Sequence, residues 1–294
     1  MKNYIALNGW IYCGFGGEKK PREFIDWAVG QGLDGVELTV GDCLPVETSE
    51  QEAKELAAYA REKGVGLRTL SAGFGWGKWL TSCDPAERAE AVAFAKKYLQ
   101  LAKWLGVETV LTVPGATRVA WDASHAEVSY LDAWNNATTS IRELVPVAES
   151  LGVNFALENV WNRFLISPME WKHFLDQFGS KRIGIYFDVG NCCLNGRPED
   201  FPEILGDRIK AVHLKNFEES DSAGGLHGFG DDLFKGMVDF KRLFAAFAKV
   251  GYAGPYTVEM IPFSRLPDLV MPDADLAAKV AGQIRELKAL ACTC

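Results

Sequence analysis

Four acidic or imidazole side chains stand at or next to the ends of successive short apolar segments in the second half of the chain. They are Glu158, Asp188, His213 and Glu259. Three carboxylates and one imidazole form an oxygen-rich set, which suits Mn²⁺, Mg²⁺ or Co²⁺ better than a thiolate-type zinc site. Crowded carboxylates repel one another, and a bound dication removes that penalty. If the four residues meet in the fold, they predict a site for one divalent metal ion.

The four residues can meet only if the segments that carry them end on the same side of the molecule. Along the whole chain, short apolar segments alternate with polar loops and helix-like amphipathic stretches, at roughly 35 residues per unit. We predict strands at residues 4–7, 35–38, 66–70, 109–113, 154–157, 183–187, 209–214 and 256–258. Eight such units predict one (β/α)8 TIM barrel domain over residues 1–294, with its active site at the carboxyl ends of the strands.

The helical segments have recognisable boundaries. We predict helices at 49–63, 85–105, 129–150, 239–250 and 272–290. Ser49 with Glu52 has the spacing of a capping box, and Pro85 suits a first helical turn. An open doubly wound sheet is the alternative fold, but the glycines after the first strand, Gly14-Phe15-Gly16-Gly17, lack the GxGxxG spacing of its phosphate loop.

Composition limits the classes of function. The 294 residues are 48% hydrophobic and 24% charged, as in an ordinary soluble enzyme, and the net charge of −8 argues against nucleic acid as a partner. No segment approaches the ~18 consecutive apolar residues of a membrane span, and no signal peptide is evident, so we expect a cytoplasmic protein that does not bind membranes. Seven cysteines without CxxC spacing are expected to be free thiols.

The motifs around the four residues resemble those of the sugar phosphate isomerase/epimerase superfamily, which shares the xylose-isomerase-like TIM barrel. They are ENVWNRF at 158–164, FDVGN at 187–191 and VHLKN at 212–216. VDF at 238–240 and GYAGPYTVEM at 251–260 resemble the ketopentulose-5-phosphate 3-epimerase and hexulose-6-phosphate isomerase branch. The resemblance implies that all four residues bind the metal ion, which could be Mn²⁺, Mg²⁺, Co²⁺ or Zn²⁺, and that Glu158 and Glu259 are also the acid/base pair.

The expected reaction is isomerisation or epimerisation, most consistent with a 3-epimerase, of a small ketose or ketose phosphate. The proton would move through a metal-bound cis-enediolate, with the two glutamates exchanging it. The expected substrate contacts are Lys215, Arg163, Asn191, Trp76 and His227. Epimerases of free tagatose and psicose carry a His and an Arg at the positions of Asn191 and Glu219, so this departure favours the phosphosugar branch.

Three other functions stay open. A metal-dependent dehydratase of a keto-inositol would use the same metal and one base. A DNA-repair endonuclease of the related barrel type needs several zinc ions and many histidines, whereas this chain has four. A non-enzymatic binding module is the third, since a fold does not dictate a function. Proteins that the chain resembles are commonly dimers or tetramers, so a homodimer or homotetramer is also expected.

Overall fold

Eight parallel strands close into a barrel in the computed structural model, which describes residues 4–17, 19–119, 125–219, 226–260 and 274–293. The barrel strands are β1 (Ile5–Asn8), β2 (Gly35–Val40), β3 (Thr69–Ala72), β4 (Thr109–Thr112), β5 (Asn154–Glu158), β6 (Ile183–Asp188), β7 (Ile209–Leu214) and β10 (Tyr256–Val258). A separate antiparallel pair, β8 (Glu218–Glu219) and β9 (Leu226–Gly228), follows β7. The predicted (β/α)8 barrel is therefore confirmed, and the doubly wound alternative is wrong.

Helices follow the strands around the barrel. They are α1 (Gly9–Cys13), α2 (Pro21–Gln31), α3 (Glu50–Glu62), α4 (Phe74–Gly77), α5 (Pro85–Leu105), α6 (Tyr130–Leu151), α7 (Pro168–Asp176), α8 (Asp200–Leu205), α9 (Phe240–Lys249) and α10 (Ala274–Ala291). The predicted capping box of Ser49 and Glu52 is present at the start of α3. Within the described ranges, no helix combines the length and the apolar character needed to cross a membrane.

The third strand differs most from its prediction. We predicted it at 66–70, but β3 begins at Thr69 and runs to Ala72. Gly66 makes an isolated bridge to Gly35, and the ring of Tyr4 packs against both glycines, leaving no room for a side chain at either position. The apolar pattern therefore predicts the strand but not where its ladder begins.

Side chains alternate between the two faces of each strand, so that several polar groups point into the barrel near its carboxyl end. In the parallel register Asp188 of β6 lies beside His213 of β7, and Thr257 of β10 lies beside His213 on the other side. Leu111, Ala156, Tyr186 and Ala211 form a separate buried cluster of four neighbouring strands. Residues two positions further along β5, β6 and β7 are Glu158, Asp188 and His213, so the period of two places them on the same face as this cluster.

Candidate metal centre

The four predicted ligands are brought together at the carboxyl end of the barrel. Glu158 and Asp188 are the last residues of β5 and β6, His213 is the next to last residue of β7, and Glu259 directly follows β10. One ligand atom from each residue lies within 4.8 Å of the others, and all four side chains are buried. The set is therefore compact enough to surround a single ion.

The imidazole of His213 gives the test of whether a cation fits. Its Nδ1 atom is buried and has no hydrogen-bond partner within the described part of the chain. The same atom lies 3.6 Å from Glu259 Oε1 and 3.9 Å from both Glu158 Oε1 and Asp188 Oδ2. A buried nitrogen without a hydrogen bond, facing three carboxylates, is unfavourable by itself but is a suitable ligand for a divalent cation. The residues fit a metal ion.

The charges of the group also favour a cation. Burial raises the pKa of Glu158 to about 7, and the neighbouring carboxylates of Glu259 and Asp188 add to this rise. Burial likewise raises the pKa of Asp188, although the Lys215 ammonium opposes the rise. For His213, burial would lower the pKa, but the carboxylates of Glu37 and Glu259 outweigh burial and raise it well above its usual value. A raised pKa means that the ionised form of a carboxyl group is unfavourable in its surroundings. A bound dication would stabilise that form by supplying positive charge.

Lys215 lies inside the same group, as its spacing of two residues from His213 predicts. Its Nζ atom is 2.7 Å from Glu259 Oε2 and 2.9 Å from Asp188 Oδ2. Burial would lower the pKa of Lys215, but the carboxylates of Asp188, Glu259 and Glu158 outweigh burial and raise it. The ammonium therefore stays charged, and it also lies 4.5 Å from the ring centre of Phe229.

Asn191 contacts two of the four residues. Its backbone N–H donates to Asp188 Oδ1 at 2.7 Å, and its side-chain Nδ2 donates to Glu158 Oε1 at 3.3 Å and to the Asn159 carbonyl at 3.0 Å. It begins the short 3₁₀ helix Asn191–Leu194, in which the thiols of Cys192 and Cys193 donate to the Val189 carbonyl. The two adjacent cysteines are thus buried packing residues, as their sequence position indicates.

The other predicted substrate contacts are Arg163, Trp76 and His227. Arg163 has an exposed side chain in the loop after β5, at a positive φ of 57°. Trp76 in α4 is half-buried and packs against the hydrophobic core. The backbone of His227 belongs to β9, but its side chain lies outside the described part of the structure. Contact of these three residues with substrate stays a prediction.

Sequence reasoning missed two features of the site. Glu37 of β2 is fully buried beneath the ligands, and its Oε1 atom accepts a hydrogen bond from His213 Nε2 at 2.7 Å. Trp161 stacks on Phe229 with ring centres 5.0 Å apart and donates through Nε1 to the Asn191 carbonyl at 3.2 Å. The signal for Glu37 is a carboxylate in the middle of an otherwise apolar strand. The signal for Trp161 is its place within the ENVWNRF motif.

The barrel and the composition of its acidic centre agree with a comparison to protein families. The model of the xylose isomerase-like TIM barrel family matches residues 25–287, which is most of the chain. The chain belongs to this family. The superfamily resemblance predicted from the strand-end motifs is thereby confirmed.

Individual relatives are named sugar 3-epimerases. The chain is 27% identical over 242 residues to a putative L-ribulose-5-phosphate 3-epimerase, SgbU, of Escherichia coli K12, covering 78% of this chain and 79% of that one. It is 27% identical over 259 residues to the D-psicose 3-epimerase of Ruminiclostridium cellulolyticum, covering 85% and 80%. These names agree with the class of enzyme that the sequence predicts.

Solved structures share the fold. A D-psicose 3-epimerase of Clostridium cellulolyticum H10, solved with D-tagatose, superposes with a TM-score of 0.76 at 19% identity over 98% of both chains. An IolI protein with a bound zinc atom superposes with a TM-score of 0.73 at 17% identity, covering 99% of this chain and 98% of that one. At these identities the likeness concerns the barrel alone.

Proposed function

We propose that the protein is a divalent-metal-dependent 3-epimerase of a ketose or ketose phosphate. The observation that carries this proposal is the buried group of Glu158, Asp188, His213 and Glu259, whose ligand atoms lie within 4.8 Å of one another at the carboxyl end of the barrel. All four residues would hold the ion, for which we propose Mn²⁺, since the set is rich in carboxylate oxygen. The names of the relatives support epimerisation over the dehydratase alternative.

The chain supplies two bases. Epimerisation removes a proton from one face of a carbon next to a carbonyl and returns a proton to the opposite face, so two proton-transferring groups are needed. Glu158 and Glu259 take these roles, while Asp188 and His213 act as ligands only. A dication bound among them stabilises the negative charge that develops on the substrate oxygens.

Contacts around the two glutamates differ, which suits different tasks on the two faces of the substrate. Asn191 donates to Glu158 at 3.3 Å, whereas Lys215 donates to Glu259 at 2.7 Å. These donors fix each carboxyl group in one orientation before substrate arrives, which lowers the cost of orienting it during proton transfer. We propose that Lys215 also donates to a substrate oxygen beside Glu259.

A phosphorylated ketose is the preferred substrate class. Asn191 and Glu219 stand where the epimerases of free tagatose and psicose carry a His and an Arg. The Asn191 amide donates to Glu158 and to the Asn159 carbonyl, and Glu219 is exposed. Arg163, exposed in the loop after β5, is the proposed phosphate contact.

A proton-exchange screen in deuterated water tests the function. With Mn²⁺ added, pentuloses, hexuloses and their 5- or 6-phosphates are incubated with the protein and analysed by NMR and mass spectrometry. We expect deuterium at carbon 3 together with the C3 epimer, and faster exchange for a phosphorylated ketose. Loss of water from the substrate would instead support the dehydratase, and absence of exchange in every compound would reject the proposal.

Substitution of Lys215 separates substrate binding from metal binding. In Lys215→Met the ammonium that contacts Asp188 and Glu259 is lost, so we expect kcat/KM to fall about 10- to 100-fold, as for a lost charged hydrogen bond. The affinity for Mn²⁺ should stay the same or increase, because a competing positive charge is removed. Steady-state kinetics and calorimetric titration with Mn²⁺ measure the two effects.

The matched control is Lys235→Met, which removes an exposed lysine that pairs with Glu218 on the same rim. It should leave both quantities within twofold of the wild type. A parallel fall of metal affinity and activity in Lys215→Met would contradict a substrate contact and assign the lysine to ligand orientation.

A further inference from the structure

Glu37 lies beneath the four ligands and belongs neither to them nor to the proposed acid/base pair. Its side chain is completely buried. Oε1 accepts hydrogen bonds from Asn8 Nδ2 and from His213 Nε2, each at 2.7 Å, and Oε2 accepts one from the Tyr186 hydroxyl. A buried carboxylate is unfavourable unless it is paired and hydrogen-bonded. Here the donors come from β1, β6 and β7, so the carboxylate is held from three strands.

The contact with Glu37 decides which imidazole nitrogen of His213 is available to a cation. An imidazole that binds a cation is neutral, with one N–H and one nitrogen whose lone pair faces the ion. An ionised carboxylate can only accept, so Nε2 must be the nitrogen that carries the hydrogen. Oε1 also accepts from the Asn8 side-chain amide, a group that can only donate, so this oxygen is an acceptor toward both neighbours. Nδ1, which faces Glu158, Asp188 and Glu259, is then the nitrogen with the lone pair.

We infer that Glu37 is a positioning residue for metal binding, which fixes the tautomer and the ring orientation of His213 without touching the ion or the substrate. The inference rests on the metal site of the proposed function but not on the reaction or on the identity of the sugar. It assigns a role to a residue on the second strand of the barrel, although the ligands all come from the fifth to the eighth.

The groups around Glu37 are themselves fixed, so the carboxylate cannot turn away from His213. The side chain of Asn8 accepts from the Trp10 backbone N–H at 2.8 Å through Oδ1 and donates to Ser71 Oγ at 3.0 Å. The Tyr186 hydroxyl lies 3.4 Å from Thr257 Oγ1 in addition to its contact with Glu37. Outer hydrogen bonds of this kind orient the ligands of a metal site before the ion arrives.

The first experiment measures the affinity for Mn²⁺ by calorimetric titration in the absence of any sugar. Glu37→Gln keeps the shape of the side chain but replaces one acceptor oxygen by a donor amide. We expect the affinity to fall about 10- to 100-fold, the usual effect of losing such an outer partner. Tyr186→Phe removes only the hydroxyl donor to Glu37 and should give a smaller fall.

The second experiment observes the imidazole directly. The chain has four histidines, so a ¹⁵N-histidine NMR spectrum of the Zn²⁺-loaded protein is simple enough to assign, with His213→Gln identifying the signal that is lost. In the wild type we expect a protonated Nε2 with a strongly downfield proton and a Nδ1 bound to zinc. In Glu37→Gln this proton should move upfield or disappear through exchange with water. A residue that merely stabilised the fold would lower the Tm without moving this signal.

Thr109→Val is the matched control, because Thr109 of β4 is fully buried and its hydroxyl accepts from Asn154 Nδ2 at 3.0 Å, outside the group of residues that holds Glu37. Its Mn²⁺ affinity and Nε2 signal should match those of the wild type. Equal affinity and an unchanged signal in Glu37→Gln, or an equal loss in Thr109→Val, would overturn the inference. If Glu37→Gln does not fold, unchanged Mn²⁺ affinity in Tyr186→Phe overturns it instead. Failure of the wild type to bind Mn²⁺ would reject the metal site itself.

Discussion

Replacing either Glu158 or Glu259 by glutamine should lower the rate of epimerisation by about 10³-fold or more, because an amide cannot take up or return a proton at the reacting carbon. Each substitution keeps the size of the side chain in a tightly packed, buried position. We therefore expect both variants to fold, with far-ultraviolet circular dichroism like that of the wild type. Epimerisation is measured by product formation at saturating Mn²⁺, with the metal content of each variant determined in parallel.

Isotope exchange distinguishes loss of a base from loss of a ligand. If each glutamate serves one face of the substrate, a variant with one glutamate left should still exchange the proton of one epimer with deuterated water, but without converting it. The two variants should then show exchange with opposite epimers. Loss of the metal ion would instead abolish exchange with both.

Glu203→Gln is the control for this pair of variants. Glu203 is an exposed residue of α8 that pairs with Lys249 at 3.0 Å, and its substitution should leave the rate unchanged. Substantial epimerisation by both Glu158→Gln and Glu259→Gln, with the metal bound, would refute the roles proposed for the two glutamates.

The barrel could be predicted from the sequence because its signals are local. Each strand is an apolar segment of a few residues followed by a polar loop, and helices such as α5 begin at a proline and end before a glycine. The predicted bounds of α5 are those of the structure, and those of the strands mostly differ by one or two residues. The exception is the start of β3, where the apolar pattern includes a segment that pairs only through an isolated bridge at Gly66.

The approach of the four ligands could also be predicted, since the carboxyl ends of all strands in a parallel barrel lie on one side. This rule needs only the strand order, not the details of packing. The structure was needed for the distances among the ligand atoms and for the ion pairs of Lys215 with Asp188 and Glu259, because both depend on side-chain orientations.

Glu37 could not be assigned a partner from the sequence. It lies 176 positions from His213, and the closure of the barrel alone brings β2 near β7. An acidic residue within the apolar segment Gly35-Val36-Glu37-Leu38 indicates a buried charge, but a sequence does not tell which group neutralises it. The placement of Arg163 is similarly non-local. Its positive φ of 57° belongs to a loop in which Asn162 donates to the Gly115 carbonyl across the barrel rim.

Removal of the metal ion should abolish activity and also lower the stability of the protein. The buried carboxylates that would hold the ion for catalysis repel one another when no cation lies between them. A bound ion would neutralise two carboxyl groups, Glu158 and Asp188, whose pKa values are raised mainly by burial and further by the Glu259 carboxylate. Protein treated with a chelator and dialysed should show no epimerisation, and added Mn²⁺ should restore it. At a concentration 100 times its Kd, Mn²⁺ should stabilise the folded state by about 2.7 kcal/mol. For a chain of this size that corresponds to a rise in Tm of about 4–5 °C.

Asp188→Asn provides the matched variant for the thermal measurement. The amide oxygen can still accept the hydrogen bond that the Asn191 backbone donates to Asp188 Oδ1, so the local turn after β6 should be preserved. The charge that would bind the cation is lost, and with it most of the Mn²⁺-dependent rise in Tm, because a neutral amide is a weaker ligand for a hard dication than a carboxylate. Differential scanning calorimetry with and without Mn²⁺ measures this difference. An equal rise in the variant and the wild type, or full activity after chelation, would show that the four side chains do not hold the ion on which catalysis depends.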